Sequence, residues 1–164
     1  VNVATSVVTA LPVLPLSVLA DTPVPAMNQA IRDQVGWERY VAQVADAYRQ
    51  LSAADRARAV IVTSNYGEAG AIDRYGERYD LPSVYSGHNE LHRFGPPPRS
   101  ADVAILVVQG DASGLRGLFE SCVVVGRLDN GLGVDNEEQG TPIRVCHGPR
   151  AAWHEVWPQL AHLS

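Results

Sequence analysis

The sequence predicts an α/β domain: a three-layer sandwich around a mostly parallel, Rossmann-like five-stranded sheet, with an antiparallel C-terminal strand. Three observations carry that expectation. Ala59–Thr63 is a short, β-branched apolar run that ends in a glycine-punctuated turn, where a helical pattern begins at once. That is how a β-α-β unit opens. Residues 103–108 are apolar at every position, as in a strand covered on both faces. Residues 127–142 are rich in turn signals and carry no apolar helical stripe, so the two strands they join are expected to be antiparallel neighbours.

The elements follow in order. Residues 1–27 form one unit in this reading, an extended N-terminal arm, because Pro12, Pro15, Pro23 and Pro25 interrupt any regular helix. Residues 28–164 form a single domain. Ile31, Val35, Trp37, Tyr40, Val41, Val44, Tyr48 and Leu51 recur at helical spacing, which places the main helix at 38–51 with Trp37 and Tyr40 as core anchors. Ser52 and Asp55 cap the next turn. The first strand, 59–63, leads into a helix over 68–79 and a second strand at 83–85. Pro96, Pro97 and Pro98 leave 91–98 irregular. The third strand, 103–108, is expected at the centre of the sheet. A short helix at 113–120 precedes strands at 122–125 and 143–146, the latter stopped by Gly148 and Pro149. A last helix, 151–160, is bent by Pro158.

Composition narrows the function. A chain of 164 residues suits one domain with a sizeable core. The net charge of −5 and the scattered basic residues exclude a nucleic-acid surface. No apolar run is long enough to span a bilayer. The chain opens at Val1 and its only methionine is Met27, so an excised domain is expected.

The polar candidates cluster after the first two strands. Asn65-Tyr66-Gly67-Glu68-Ala69-Gly70-Ala71 lacks the terminal Lys-Ser/Thr of a P-loop, and Gly67 and Gly70 do not have the spacing of a dinucleotide fingerprint. Gly67 relaxes the turn, Asn65 caps the helix and Glu68 suits its positive end. A second reading of the same residues has Asn65, Tyr66 and Glu68 facing a cleft. Ser86-Gly87-His88-Asn89 offers hydroxyl, imidazole and amide groups suited to sugar hydroxyls, or else a loop locked by His88. If the first two strands are parallel, both motifs emerge at one sheet edge as a shared polar pocket. His88 and His92, with Glu90 or Glu68, have the spacing of a helical metal pair. The prolines leave too little helix to hold it, so no metal and no cofactor is assigned. The acidic stretches Asp129-Asn130-Gly131 and 135–138 read as solvated turns.

Asn65–Ala71, Ser86–Asn89 and Gly95-Pro96-Pro97, continued by Cys122, Glu137-Glu138, Cys146 and Trp157-Pro158, resemble the soluble tail of bacterial membrane glycosyltransferases of the family 39 type, related to protein mannosyltransferases and lipid A sugar transferases. The resemblance covers the chain from about residue 11 onward. It implies a domain that follows a missing membrane span and lies on the extracytoplasmic face of the bacterial cell membrane. Its implied partners are the membrane-embedded part of the same polypeptide and a glycan, lipid-linked sugar or acceptor. The family's catalytic acidic residue lies in a part with no counterpart here, so the implied role is non-catalytic. If the last two strands pair, Cys122 and Cys146 come close, and an extracytoplasmic location would favour a disulfide; two buried thiols are the other reading. Two further function classes stand beside this one. One is a small α/β hydrolase or transferase using His88 with Glu68 or Asp111, for which the nucleophile motif is missing. The other is a structural interaction domain.

Overall fold

A computed structural model of the chain describes residues 14–110 and 113–162. Among these, five strands form one mixed sheet: β1 (Ala59–Thr63), β2 (Val84–Ser86), β3 (Val103–Val107), β4 (Phe119–Arg127) and β5 (Pro142–Pro149), in the order β2-β1-β3-β5-β4. β1 is parallel to β2 and to β3. β5 is antiparallel to both β3 and β4, which makes it the one reversed strand. The third strand is central, as its unbroken apolar run requires, and the last two strands pair antiparallel. The class is α/β.

Strand side chains alternate between two apolar clusters. On one face, Ile61, Ile105, Val107 and Ile143 meet Tyr40, Val41 and Val44 of α1 (Trp37–Arg49) and Ala71 and Ile72 of α2 (Tyr66–Tyr75). On the other, Val60, Val62, Ala104, Leu106 and Cys146 pack with Phe119, Trp153 and Val156. All five residues of β1 and of β3 are buried, which is why neither strand alternates in sequence.

Several boundaries differ from the sequence expectations. Leu16–Leu19 and Val24–Met27 each make one helical turn where an extended arm was expected. Pro15 serves as an N-cap and Pro25 occupies the first turn, positions where no intrahelical N–H is needed. Residues 1–13 of the arm lie outside the described residues. Asn89–Phe94 forms a 3₁₀ segment ahead of the prolines instead of irregular chain. The helix expected over 113–120 is shorter, Ser113–Gly117, because β4 begins at Phe119. β5 runs through Gly148 to Pro149, with prolines only at its two ends. The last helix is one α-turn, Trp153–Val156, continued as the 3₁₀ turn Trp157–Leu160 with Pro158 in its first turn.

Cys122 and Cys146 are register partners across β4 and β5 and form a disulfide. Their Cα atoms are 4.1 Å apart, just below the expected ~4.4–6.8 Å. Direct cross-strand partners start closer than residues on separate elements.

Candidate functional site

The site begins where β1 hands the chain to α2. Asn65 has extended backbone, and its Oδ1 accepts the Glu68 N–H at 2.8 Å. Glu68 answers: its Oε2 accepts the Asn65 N–H at 3.1 Å, the Ser64 N–H at 2.8 Å and the Ser64 hydroxyl at 2.9 Å. This is a reciprocal capping box that satisfies donors otherwise orphaned at the helix start. Glu68 is thereby buried, 3% exposed, and it does not line the cleft described below. Of the two readings of this motif, the structural one describes Glu68. Burial pushes its carboxyl up to about 7, against the lowering effect of its Ser64 and Asn65 donors.

β2 delivers the second motif to the same place. His88 Nδ1 accepts the Tyr66 backbone N–H at 3.1 Å, so a first-turn donor of α2 is satisfied by an imidazole from the next strand. With Nδ1 accepting, the neutral ring carries its proton on Nε2. Nε2 is buried and has no hydrogen-bond partner among the described residues. The ring lies between Tyr66, centroids 5.2 Å apart, and His162, stacked at 5.0 Å. Burial, then the neighbouring His162, lowers the His88 pKa.

The other members of the second motif turn away from the cleft. Ser86 is buried, and its hydroxyl accepts the His88 N–H at 3.2 Å. Gly87 leaves room for protein, not for a ligand: a Cβ there would sit 2.0 Å from the Leu160 carbonyl oxygen. The C-terminal segment crosses at this point, with His162 N–H donating to Gly87 O at 3.0 Å and Asn89 N–H to His162 O at 2.9 Å. Asn89 adopts a left-handed φ of 51° and opens the 3₁₀ segment.

The third contribution comes from the β4–β5 loop. Expected as solvated turns, the loop instead buries Asn130, Asn136 and Glu138. The Tyr40 hydroxyl donates to Asn136 Oδ1 at 2.8 Å. Asn136 Nδ2 donates to Val35 O at 3.0 Å, and Asn130 Nδ2 to Val134 O. These amides replace the missing secondary structure as partners for buried backbone. The loop is thus held so that Glu138 reaches the end of β1. Glu138 Oε1 accepts long bonds from Asn65 Nδ2 at 3.4 Å and Gln109 Nε2 at 3.5 Å, while Oε2 is buried without a partner among the described residues. Burial raises its pKa.

Together these pieces frame a cleft of about 540 Å³ at the C-terminal edge of the parallel strands, where open α/β sheets bind ligands. Asn65, Tyr66, Gly67, His88 and Glu138 line it, with Trp37 and Arg74 on its walls. Gly67 admits Trp37: a Cβ there would approach the indole to 3.1 Å. Tyr66, 62% exposed, also forms a wall of a neighbouring cleft of about 340 Å³ with Ser86, Leu91 and Phe94.

Sequence reasoning brought Asn65, Tyr66, Gly67 and His88 together correctly. Trp37 packs against the core as the helical spacing requires, and its half-buried indole also lines the cleft. Glu138 reads from sequence as part of a solvated acidic turn, whereas the structure buries it at the cleft; the signal available was the pair of asparagines, 130 and 136, flanking glycine turns. Asp111 lies outside the described residues, and His88 makes no hydrogen bond to Glu68 among the described residues. The His88–Glu68 form of the hydrolase arrangement therefore lacks its contact. Among the described residues no group of three metal-binding side chains occurs, and no helix is long and apolar enough to cross a membrane. Neither protein-family models, curated proteins nor solved structures give a match to the chain.

Proposed function

We propose that this chain is a non-catalytic accessory domain of a membrane glycosyltransferase, and that its cleft holds a polyhydroxylated ligand: a glycan, a lipid-linked sugar or an acceptor. The observation that carries the reading is the cleft's lining: the exposed Tyr66 ring and the half-buried Trp37 indole flank a polar space, and just under its wall His88 Nε2 and Glu138 Oε2 are buried without a partner among the described residues. Buried polar atoms seek partners. The flat faces of Tyr66 and Trp37 beside the amides of Asn65 and Gln29 suit a ring that carries hydroxyls on its edge and C–H groups on its faces. A bare phosphate fits poorly, because Glu137 and Glu138 line the same space. The fold in this reading is a reduced Rossmann-like three-layer sandwich, with α1 and α2 as one outer layer and the C-terminal turns as the other. The resemblance of the two strand-end motifs to the family 39 tail supplies the parent protein, its extracytoplasmic location and its membrane-embedded partner.

The test is an NMR titration of neutral monosaccharides and short glycosides against the parent chain, Tyr66→Ala and Glu138→Gln. Tyr66 is exposed, so its truncation leaves the fold intact, and lost stacking of about 1 kcal/mol weakens binding roughly fivefold. Glu138→Gln removes a charged acceptor and weakens binding about tenfold or more. Absence of any shift near Tyr66 and His88 across the panel, or equal affinity in all three proteins, rejects the reading.

A further inference from the structure

The cleft leaves one prominent feature unused, the open edge of the sheet at β4. Among the described residues its nine residues, Phe119–Arg127, pair with β5 alone. Val123, Val124 and Val125 are exposed at 62, 50 and 39%, so apolar side chains stand free on both faces of the strand. No proline or charge interrupts residues 121–126, two of the devices by which edges are blunted; the register shift at 124–126 is the one irregularity this edge carries among the described residues. The opposite edge, β2, has only three residues.

The backbone at this edge is ordered for pairing. The 4.1 Å Cα separation of Cys122 and Cys146 is that of a non-hydrogen-bonded antiparallel pair, about 4.5 Å. Cys122 therefore turns its N–H and C=O away from β5, toward the open edge, and Val124 does the same two residues on.

We propose that β4 is the seat of a two-fold dimer of this chain, in which the β4 strands of two copies pair antiparallel and join their sheets into one. The choice of a second copy rests on a charge match that appears in one register. A two-fold axis perpendicular to the sheet preserves its faces, so residues that meet must come from the same face. Pairing centred on Val123 meets that condition, with Val123 opposite its own copy and Cys122 opposite Val124. The register shift between Val124 and Gly126 leaves Val125 as the extra residue and sets Arg127 opposite Pro142 of β5. Glu120 lies against Gly148, and strand alternation from the Cys122–Cys146 pair puts it on the face of Cys122 and Arg127. Counting past the shift, Arg127 of each copy then stands opposite Glu120 of the other. The seam has valines at its centre and an opposite-charge pair at each end, and opposite charges across a strand pair stabilise it.

Sedimentation velocity of the 164-residue chain, from micromolar to millimolar concentration, tests this. The parent forms a reversible dimer. Val123→Lys sets like charges face to face on the axis and raises the dimer dissociation constant at least about tenfold. Circular dichroism stays unchanged in that variant, because Val123 is exposed. Glu120→Arg and Arg127→Glu each weaken the dimer, and the two together restore it. A parent that is monomeric throughout overturns the proposal, as does a dimer indifferent to Val123→Lys. A double variant no tighter than the single ones overturns the register, and with it the reason for choosing a second copy.

Discussion

Glu68 sits beneath the first turn of α2 with three donors on one oxygen and, among the described residues, none on the other. Its carboxyl is pushed up to about 7 by burial. The folded chain therefore holds a proton that the unfolded chain has lost between pH 4.5 and 7, so stability falls as pH rises through that window. The shift corresponds to about 3 kcal/mol. Glu138, also raised by burial, acts in the same direction, while His88, lowered by burial, costs stability as pH falls below its ordinary value. Comparison with Glu68→Gln separates these, since glutamine keeps an acceptor for the capping N–H groups. Melting curves should show the parent losing roughly 5–10 °C relative to the variant between pH 5 and pH 8. Parallel curves would mean that Glu68 is ionised throughout. The cap itself was legible, because Asn65 and Glu68 stand at the spacing a capping box requires. Which of its atoms meets solvent depends on Ser64 and Glu138, and no local pattern encodes that.

At the scale of elements, two contacts hold the site's frame. The first is the crossing of Gly87 by the C-terminal segment. Gly87→Ala would drive a Cβ into the Leu160 carbonyl, where backbone has little room to yield. We expect a loss of at least about 2 kcal/mol, with hydrogen exchange rising first at the Asn89 and His162 amides, whose bonds close this crossing. Slow exchange at both amides in the variant would show that the segment accommodates the methyl. The second contact is the Cys122–Cys146 bridge, whose cysteines are 24 residues apart in sequence. Closing a loop of that length stabilises by about 3.5 kcal/mol in the chain-entropy model. Denatured, unreduced protein should show no free thiols, and Cys122→Ala/Cys146→Ala should lower the unfolding free energy by about 2–4 kcal/mol in urea. The strand pairing behind the bridge could be read from the turn-rich link between β4 and β5. The true lengths of β4 and β5 could not, because exposed valines and end prolines look like strand termini until the partner strand is in place.

For the molecule as a whole, composition and pattern were enough for the class, the central position of β3 and the shared edge of the two strand-end motifs. Those features follow from apolar runs and from the parallel sense of β1 and β2. The parts not legible arise from long-range contacts. The loop over 128–141 is polar in sequence, yet its asparagines are consumed by Tyr40 and by the backbone of Val35 and Val134. Trp37 reads as a core anchor by helical spacing, yet it stands at the end of α1 where the core meets the cleft.

The reversed direction of β5 has a temporal consequence. Because β5 runs against its neighbours, the loop that precedes it returns Glu138 to the edge where β1 and β2 end, and His162 closes over His88 from still further along the chain. A nascent polypeptide emerging from the ribosome can assemble β1, α2 and β2 early, with the Tyr66 and His88 walls already in place. Glu138 arrives only with the β4–β5 hairpin, and the stacking His162 later still. The cleft is thus completed late in vectorial synthesis, when the Glu138 wall joins those of Tyr66 and His88 and His162 then stacks on His88.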